Sequence, residues 1–150
     1  MLYGFWNRDM MFWQQTYQRK PFRTVKRRTL NFPIYFFQLD VCEERLPQTF
    51  KFIYSISVIH MLVNQEDRNR FLTFIRDHLD EDGYGLILTM GDGEYEVTGD
   101  ITSAFDSVKR THQGTGQEVA VAATSCRMVN FATLEQEIAN NGLHILQKEL

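Results

Sequence analysis

The sequence predicts an α/β fold, with helices on both faces of a mostly parallel β-sheet, in a single domain over residues 1–150. The main observation is the segment 50–93, where an apolar run, a helical pattern and a second apolar run follow one another. This order is typical of a βαβ unit, whose two strands are parallel neighbours joined by a right-handed crossover. Both runs are continuously apolar, as expected of strands with helices on both sides.

Length and composition agree with this fold class. The chain of 150 residues suits one domain, and its 43% apolar and 23% charged residues are ordinary for a globular protein. No apolar run is long enough to cross a membrane, and the first residues lack the pattern of a signal peptide. The two cysteines, Cys42 and Cys126, form neither a disulfide framework nor a metal-binding pair. We therefore expect a cytoplasmic protein with no metal and no membrane partner.

The first predicted elements are a strand from Leu2 to Phe5 and a helix from Met10 to about Arg19. Asp9 is placed to cap this helix, and Pro21 to end it. Residues 1–38 hold seven Lys or Arg and one acid, and six of these basic residues fall within 19–28. Such a run fits a solvated helix face or a phosphate-binding surface. The chain has no RNA-binding aromatic signature or zinc-finger spacing, which favours the solvated face.

The remaining elements follow from apolar periodicity and from glycine and proline positions. A third strand, 34–39, precedes Asp40, and a fourth covers 52–56. A helix then begins near Asn64, with Phe71, Leu72, Ile75 and Leu79 toward one side, and is expected to stop at residues 80–83. We predict the later elements as a strand at 84–90, a helix at 103–110, a strand at 119–124, a helix at 133–140 and a closing strand at 143–146.

Several of these patterns together resemble class I S-adenosylmethionine-dependent methyltransferases. They are a strand ending in Tyr-Ser-Ile-Ser-Val-Ile-His, a helix with Asp67-Arg68 and Phe71-Leu72, and a strand Gly-Leu-Ile-Leu-Thr. The resemblance spans most of the chain and is strongest at 50–93. It implies a Rossmann-like sheet, S-adenosylmethionine as cofactor and a small-molecule substrate.

The resemblance also implies positions for the cofactor. Asp40 and Val41 match the place where family members hydrogen-bond the adenine, although Asp40 also suits a cap for the following turn. Ser55, Ile56 and Ser57 match the residues along the methionine end. At the position of the family's ribose-binding acid, this sequence has Trp6-Asn7 and no acid. The Asn7 amide can still hydrogen-bond.

A second group of residues is assigned to the reaction and the acceptor. His60 lies at the mouth of the implied pocket, where it would act as a general base or position the substrate, or simply bond a backbone group. Gly91 and Asp92 follow the fifth strand, in the region that commonly contributes to the substrate pocket. Arg127 suits a carboxylate on the substrate or a surface ion pair.

The glycine-rich cofactor loop of the family has no counterpart before Leu2. We therefore expect a sheet that lacks the family's first strand and helix. A sheet that also lacks the last strand is the alternative. Loss of a mid-sheet strand leaves two strands to pair directly or an edge to be covered. A shortened chain, a degenerate relative and a chain completed by a partner, including a homo-oligomer, remain open explanations.

The leading functional hypothesis is methyl transfer from S-adenosylmethionine to a small molecule. The alternatives are a non-catalytic interaction domain, or nucleic-acid binding through residues 19–28. A dehydrogenase is favoured only by fold analogy, because no dinucleotide fingerprint is present.

Overall fold

The computed structural model describes residues 2–7, 10–15, 35–103 and 106–150. Its main sheet has five strands: Leu2–Asn7 (β1), Met10–Gln15 (β2), Tyr35–Gln38 (β3), Phe50–Ile56 (β4) and Leu79–Leu88 (β5). Their order across the sheet is β3-β1-β2-β4-β5. Strands β2 to β5 run in one direction, and β1 alone among these five runs against them. The prediction of a mostly parallel sheet is confirmed.

Strand β2 corrects the helix predicted from Met10 to about Arg19. Phe12 lies opposite Phe5 of β1 and Tyr54 of β4, so the strand pairs along both sides. Backbone pairing on two sides outweighs a local helical pattern, particularly for aromatic residues that favour strands. Strand β2 lies between β1 and β4, so those two strands do not pair directly. The predicted basic segment 19–28 lies outside the described residues.

The predicted βαβ unit is confirmed. Strand β4 leads through a short 3₁₀ helix, Ile59–Met61, to helix α1, Gln65–His78, and then to β5, which pairs in parallel with β4. The helix ends just before the expected stop at 80–83, because Leu79 adopts an extended backbone with φ −81° and ψ 138°. The pairing of β5 with β4 shifts register between Phe50 and Phe52 and is regular from there to Leu88.

The hydrophobic core lies between the β4–β5 side of the sheet and two helices, α1 and α2 (Phe131–Asn140). Ile53 of β4 is buried, and Gly85 beside it faces Ile75 of α1. Helix α2 contributes Ile138 to the same cluster. The core residues are Leu39, Val41, Phe50, Ile53, Val58, Ile59, Phe71, Leu72, Phe74, Ile75 and Ile138.

In the part of the chain that the structure describes, no helix covers the opposite face of β4 and β5, so the expectation of helices over both faces is not met there. Tyr84, Leu86 and Leu88 are 54%, 54% and 55% exposed. Phe52 on β4 stacks against Tyr84, with ring centroids 6.1 Å apart. Because side chains alternate along a strand, these residues face away from α1.

The segment after β5 forms two small antiparallel sheets. Its elements are β6 (Val97–Thr98), a 3₁₀ helix (Ile101–Ser103), β7 (Ser107–Thr111), β8 (Glu118–Ala122) and β9 (Arg127–Met128). Strand β6 pairs with β9, and β7 with β8.

Four sequence predictions for this last part differ in outcome. The strand at 119–124 and the helix at 133–140 are confirmed, with bounds shifted by up to two residues. The helix at 103–110 is wrong, because residues 107–111 pair with β8. The closing strand at 143–146 is also wrong, since those residues form no strand. Asn130 caps the start of helix α2, because its side chain accepts a hydrogen bond from Thr133 N at 2.8 Å.

Candidate functional site at the carboxyl ends of the parallel strands

The strand order places a topological switch point between the carboxyl ends of β2 and β4. From β2 the chain passes to β3 on one side, whereas from β4 it passes to β5 on the other side. Neighbouring strands whose connections leave in opposite directions form a switch point, where open α/β sheets bind ligands. The predicted residues Ser55, Ile56 and Ser57 lie at this end of β4.

Ser57 has an unusual backbone at the end of β4. Its φ is +58°, the only positive value at a non-glycine residue in the described part of the chain. Its N–H donates to Leu88 O at 2.9 Å, which holds the bend against the end of β5. Such a conformation costs about 1–3 kcal/mol and occurs often at functional sites. The strain was not evident from the sequence, because serine gives no signal for positive φ.

Ser55 carries a buried hydroxyl with no hydrogen-bond partner among the described residues. Its register neighbours are Trp13 of β2 and Ile87 of β5, so it lies on β4 with a paired strand on each side. A buried unpaired hydroxyl costs about 1–3 kcal/mol, and in a native fold it requires an explanation. Ile56, the next residue, is half-buried on the other face.

His60 lies in the 3₁₀ helix after β4 and is buried. Its Nδ1 accepts a hydrogen bond from Met90 N at 3.3 Å and lies 3.5 Å from Thr89 Oγ1. Burial, and then the positive charge of Arg68, lower the pKa of His60 below 6.5. A neutral ring with Nδ1 as acceptor carries its proton on Nε2. The predicted backbone bond of His60 is therefore present, and the catalytic role stays a prediction.

Asp40 and Val41 follow β3 at the same edge of the sheet. Asp40 is exposed, and its Oδ1 accepts the N–H of Cys42 at 3.0 Å, so it caps the turn as the simpler interpretation expected. Val41 is completely buried in the core. Cys42 lies beside them, and burial, followed by Asp67 and Asp40, raises its pKa to about 11. Its thiol is thus unreactive at neutral pH, as expected for a packing residue.

Gly91 and Asp92 follow β5 and also lie at this edge. Gly91 has a φ of +139°. Asp92 Oδ1 accepts the N–H groups of Glu94 and Tyr95, both at 3.0 Å, and these bonds lower the pKa of Asp92. This compact turn leads to Gly93, whose carbonyl accepts the N–H of Phe131 at 3.0 Å and so connects the turn to the start of α2.

Arg127 forms an ion pair with the buried Glu137 and not the predicted pair at the surface. Its Nη2 lies 3.6 Å from Glu137 Oε1, and its Nη1 donates to Val63 O at 3.5 Å. The side chain is 20% exposed, so a substrate contact stays a prediction.

Asn7 is separated from the other predicted cofactor residues. It lies opposite Met10, at the start of β2, because β1 runs against its neighbours. The prediction that it lies with Ser55 and Asp40 assumed a parallel first strand and is wrong. In the ranges that the structure describes, no group of three or more His, Cys, Asp or Glu residues is arranged to hold a metal ion. None of the described helices has the length and apolar character needed to cross a membrane.

The sequence predictions missed Arg68 and Glu137. Arg68 of α1 and Glu137 of α2 are 1% and 5% exposed and bind each other with a shortest distance of 2.6 Å. The sequence does carry a signal for Arg68, because Phe71 and Leu72 follow it by three and four residues on the same helix face. Nothing in the sequence indicates that Glu137 is its partner.

Comparison with known proteins finds relatives of this fold at low sequence identity. No protein-family model and no curated protein matches the chain. A solved S-adenosylmethionine-dependent methyltransferase from Clostridium acetobutylicum ATCC 824 is similar, with a TM-score of 0.52 at 13% identity over 73% of this chain and 53% of its own.

Two further solved structures give the same result. The glycopeptide N-methyltransferase MtfA, in complex with S-adenosyl-L-homocysteine, has a TM-score of 0.50 at 18% identity over 74% of this chain and 51% of its own. The CcbJ methyltransferase from Streptomyces caelestis has a TM-score of 0.50 at 13% identity over 72% and 52%. The chain therefore spans about half the length of the structures it matches. The predicted fold family is confirmed: this chain has the fold of class I S-adenosylmethionine-dependent methyltransferases.

Proposed function

We propose that this chain binds S-adenosylmethionine and transfers its methyl group to a small-molecule acceptor. The observation that carries the proposal is the unpaired, buried hydroxyl of Ser55 beside the switch point of a methyltransferase fold. A polar ligand bound at this switch point would give this hydroxyl a partner. The strained backbone of Ser57 at the same strand end supports the assignment.

The residues present fit such a ligand. Ser55 and Ser57 offer hydroxyl groups for its methionine end, and the exposed carboxylate of Asp40 can accept a hydrogen bond from the adenine amino group. The half-buried Ile56 supplies an apolar neighbour, whereas Val41, predicted to do the same, is enclosed in the core. When bound, the cofactor supplies an electrophilic methyl group on a sulfonium ion. The protein then has to hold an acceptor in line with that methyl group, which requires no obligatory base.

The acceptor in this proposal lies near the end of β5, beside Gly91 and Asp92, with Arg127 available to a carboxylate. His60 would contribute an Nε2–H donor that orients the acceptor, because its Nδ1 is occupied by the Met90 N–H. A neutral imidazole is present at pH 7, since the pKa of His60 is lowered.

Calorimetric titration with S-adenosylhomocysteine tests the proposal. We expect binding heat for the intact chain, and binding about tenfold weaker in Ser55→Ala, a loss of about 1.4 kcal/mol. Ser107→Ala, a change of the same type on exposed β7, is the matched control and should bind like the original chain. Absence of heat at millimolar ligand with a folded sample would exclude cofactor binding by this chain.

A second candidate is a protein-interaction domain, favoured by the exposed apolar face of β4 and β5. Apolar patches of this kind are common at interaction sites. We expect light scattering to show a mass that rises with concentration and that returns to the monomer value in Leu86→Asn. A strict monomer at all concentrations would argue against self-association through this face.

A further inference from the structure

The loop that follows β4 presents its carbonyl groups to two arginines. Arg68 Nη1 donates to Ile59 O at 2.8 Å and to Leu62 O at 3.4 Å. Arg127 Nη1 donates to Val63 O at 3.5 Å. Ile59 O also accepts the Leu62 N–H at 3.1 Å, so Arg68 adds a second hydrogen bond there. Leu62 O and Val63 O lie beyond the end of the helix, where carbonyl groups need partners from outside it.

Both arginines are held by one carboxylate of helix α2. Glu137 accepts from Arg68 Nε at 2.9 and 3.1 Å and from Arg68 Nη2 at 2.6 Å. Its Oε1 also lies 3.6 Å from Arg127 Nη2. We call Arg68, Arg127 and Glu137 the arginine clamp.

The other side of this loop forms a wall of the candidate site. The loop begins at Ser57, whose N–H donates to Leu88 O, and it carries His60, whose Nδ1 accepts the Met90 N–H. The arginine clamp and the strand ends therefore hold the same loop through different groups. A fork-shaped guanidinium fixes direction as well as distance, which a lysine would not do.

We propose that Glu137 is a positioning residue, which sets the Ser57–Val63 loop against the cofactor pocket through Arg68 and Arg127. This inference rests on the proposed function for the identity of the pocket. It assigns to helix α2 a part in the site, although α2 supplies none of the residues expected to touch the cofactor.

The first test compares Glu137→Gln with Glu135→Gln, a matched change on the exposed face of α2 where the acid pairs with Lys148. We expect Glu137→Gln to bind S-adenosylhomocysteine about tenfold more weakly. We also expect its His60 ring signals to move in NMR spectra at pH 8. Glu135→Gln should match the original chain in both measurements. Equal behaviour of the two variants would overturn the inference.

A double variant separates positioning from stability. Arg68→Met with Glu137→Leu removes both buried charges, and such apolar replacements often retain or raise stability. We expect its melting temperature to exceed that of Glu137→Gln, while S-adenosylhomocysteine binding stays about tenfold weaker because the loop carbonyls have lost Arg68. Affinity that returns together with stability would show a merely structural pair and overturn the inference.

Arg127→Met gives the same test with the Arg68–Glu137 pair intact. We expect an unchanged melting temperature and an affinity reduced by about threefold; an unchanged affinity would contradict the clamp. If the original chain fails to bind S-adenosylhomocysteine, the proposed function fails. The His60 signals of the two glutamate variants still decide whether Glu137 positions the loop.

Discussion

The βαβ unit of β4, α1 and β5 and the β7–β8 hairpin are held together in different ways. The βαβ unit buries one face against helices, with Phe71 and Leu72 of α1 completely inaccessible. In the hairpin most side chains are exposed, and its ion pair, Lys109–Glu118 at 3.4 Å, lies in water. Exposed ion pairs contribute about 0–1 kcal/mol, and isolated two-stranded hairpins are marginally stable. We infer that the βαβ unit carries the stability of the domain and that the hairpin tolerates change.

The largest expected contrast comes from truncating one apolar side chain in each region. Phe71→Ala should lower the free energy of unfolding by about 3–5 kcal/mol, because it leaves a cavity in the core. Val119→Ala in the hairpin, where the side chain is 38% exposed, should change it by less than about 0.5 kcal/mol. Urea unfolding measures both. Similar losses in the two variants would mean that the hairpin is part of the cooperative core.

Two glycines sharpen the comparison, because they share a backbone conformation but differ in the space around them. Gly93 has a φ of +78° and Gly116, in the hairpin turn, a φ of +69°. A Cβ on Gly93 would lie 2.5 Å from Phe131 Cε2, whereas a Cβ on Gly116 has no atom within 4 Å.

Gly116→Ala should therefore show the cost of the left-handed backbone alone, about 1–2 kcal/mol. Gly93→Ala adds overpacking of about 1–3 kcal/mol. Thermal unfolding of the pair gives the difference. Equal losses would mean that Phe131 moves aside without cost.

Ser55→Ala is expected to have a smaller effect. It should stabilise the free protein but weaken cofactor binding. Removing the unpaired hydroxyl should raise the free energy of unfolding by about 1 kcal/mol in the absence of ligand. The same change weakens cofactor binding in the proposal above. Differential scanning calorimetry without ligand measures the first effect, and a destabilised Ser55→Ala would show that the hydroxyl has a partner.

The smallest expected effect is the pH dependence caused by His60. Burial and Arg68 lower its pKa in the folded protein, so the unfolded chain takes up the proton first as the pH falls. Stability from the neutral ring is thus present above about pH 6.5 and decreases below it, by no more than about 0.8 kcal/mol at pH 6. His60→Asn should flatten this part of the curve between pH 7 and 6. Parallel curves for the two proteins would contradict the lowered pKa.

The βαβ unit could be predicted from the sequence, because its local helix and strand patterns agree with the pairing that the sheet adopts. The polar start at Asn64, the apolar face with Phe71 and the two apolar runs are each present in the structure as helix or strand. The same holds for α2, where Asn130 caps the helix and Gly142 follows it in the left-handed conformation.

The errors occur where pairing with distant residues decides the structure. Residues 10–15 have a helical spacing and a capping aspartate before them, but β1 and β4 provide strand partners on both sides. Residues 107–111 likewise form a strand because they pair with β8. Gly114 and Gly116 in the connecting turn were the available signal for a hairpin. Asn7 was misplaced because its strand runs in the unexpected direction. Arg68 and Glu137 could not be paired, because 69 residues separate them.

The buried pair of Arg68 and Glu137 also sets a limit for engineering shortened versions of the domain. A chain cut before α2 would keep α1 and β5 but remove Glu137, the counter-charge of the Arg68 guanidinium, together with Ile138 of the core. Loss of one member of a buried pair costs about 3–5 kcal/mol, a large share of the stability of an ordinary domain. Expression boundaries for this protein should therefore be chosen downstream of Gly142, even when only the sheet is wanted.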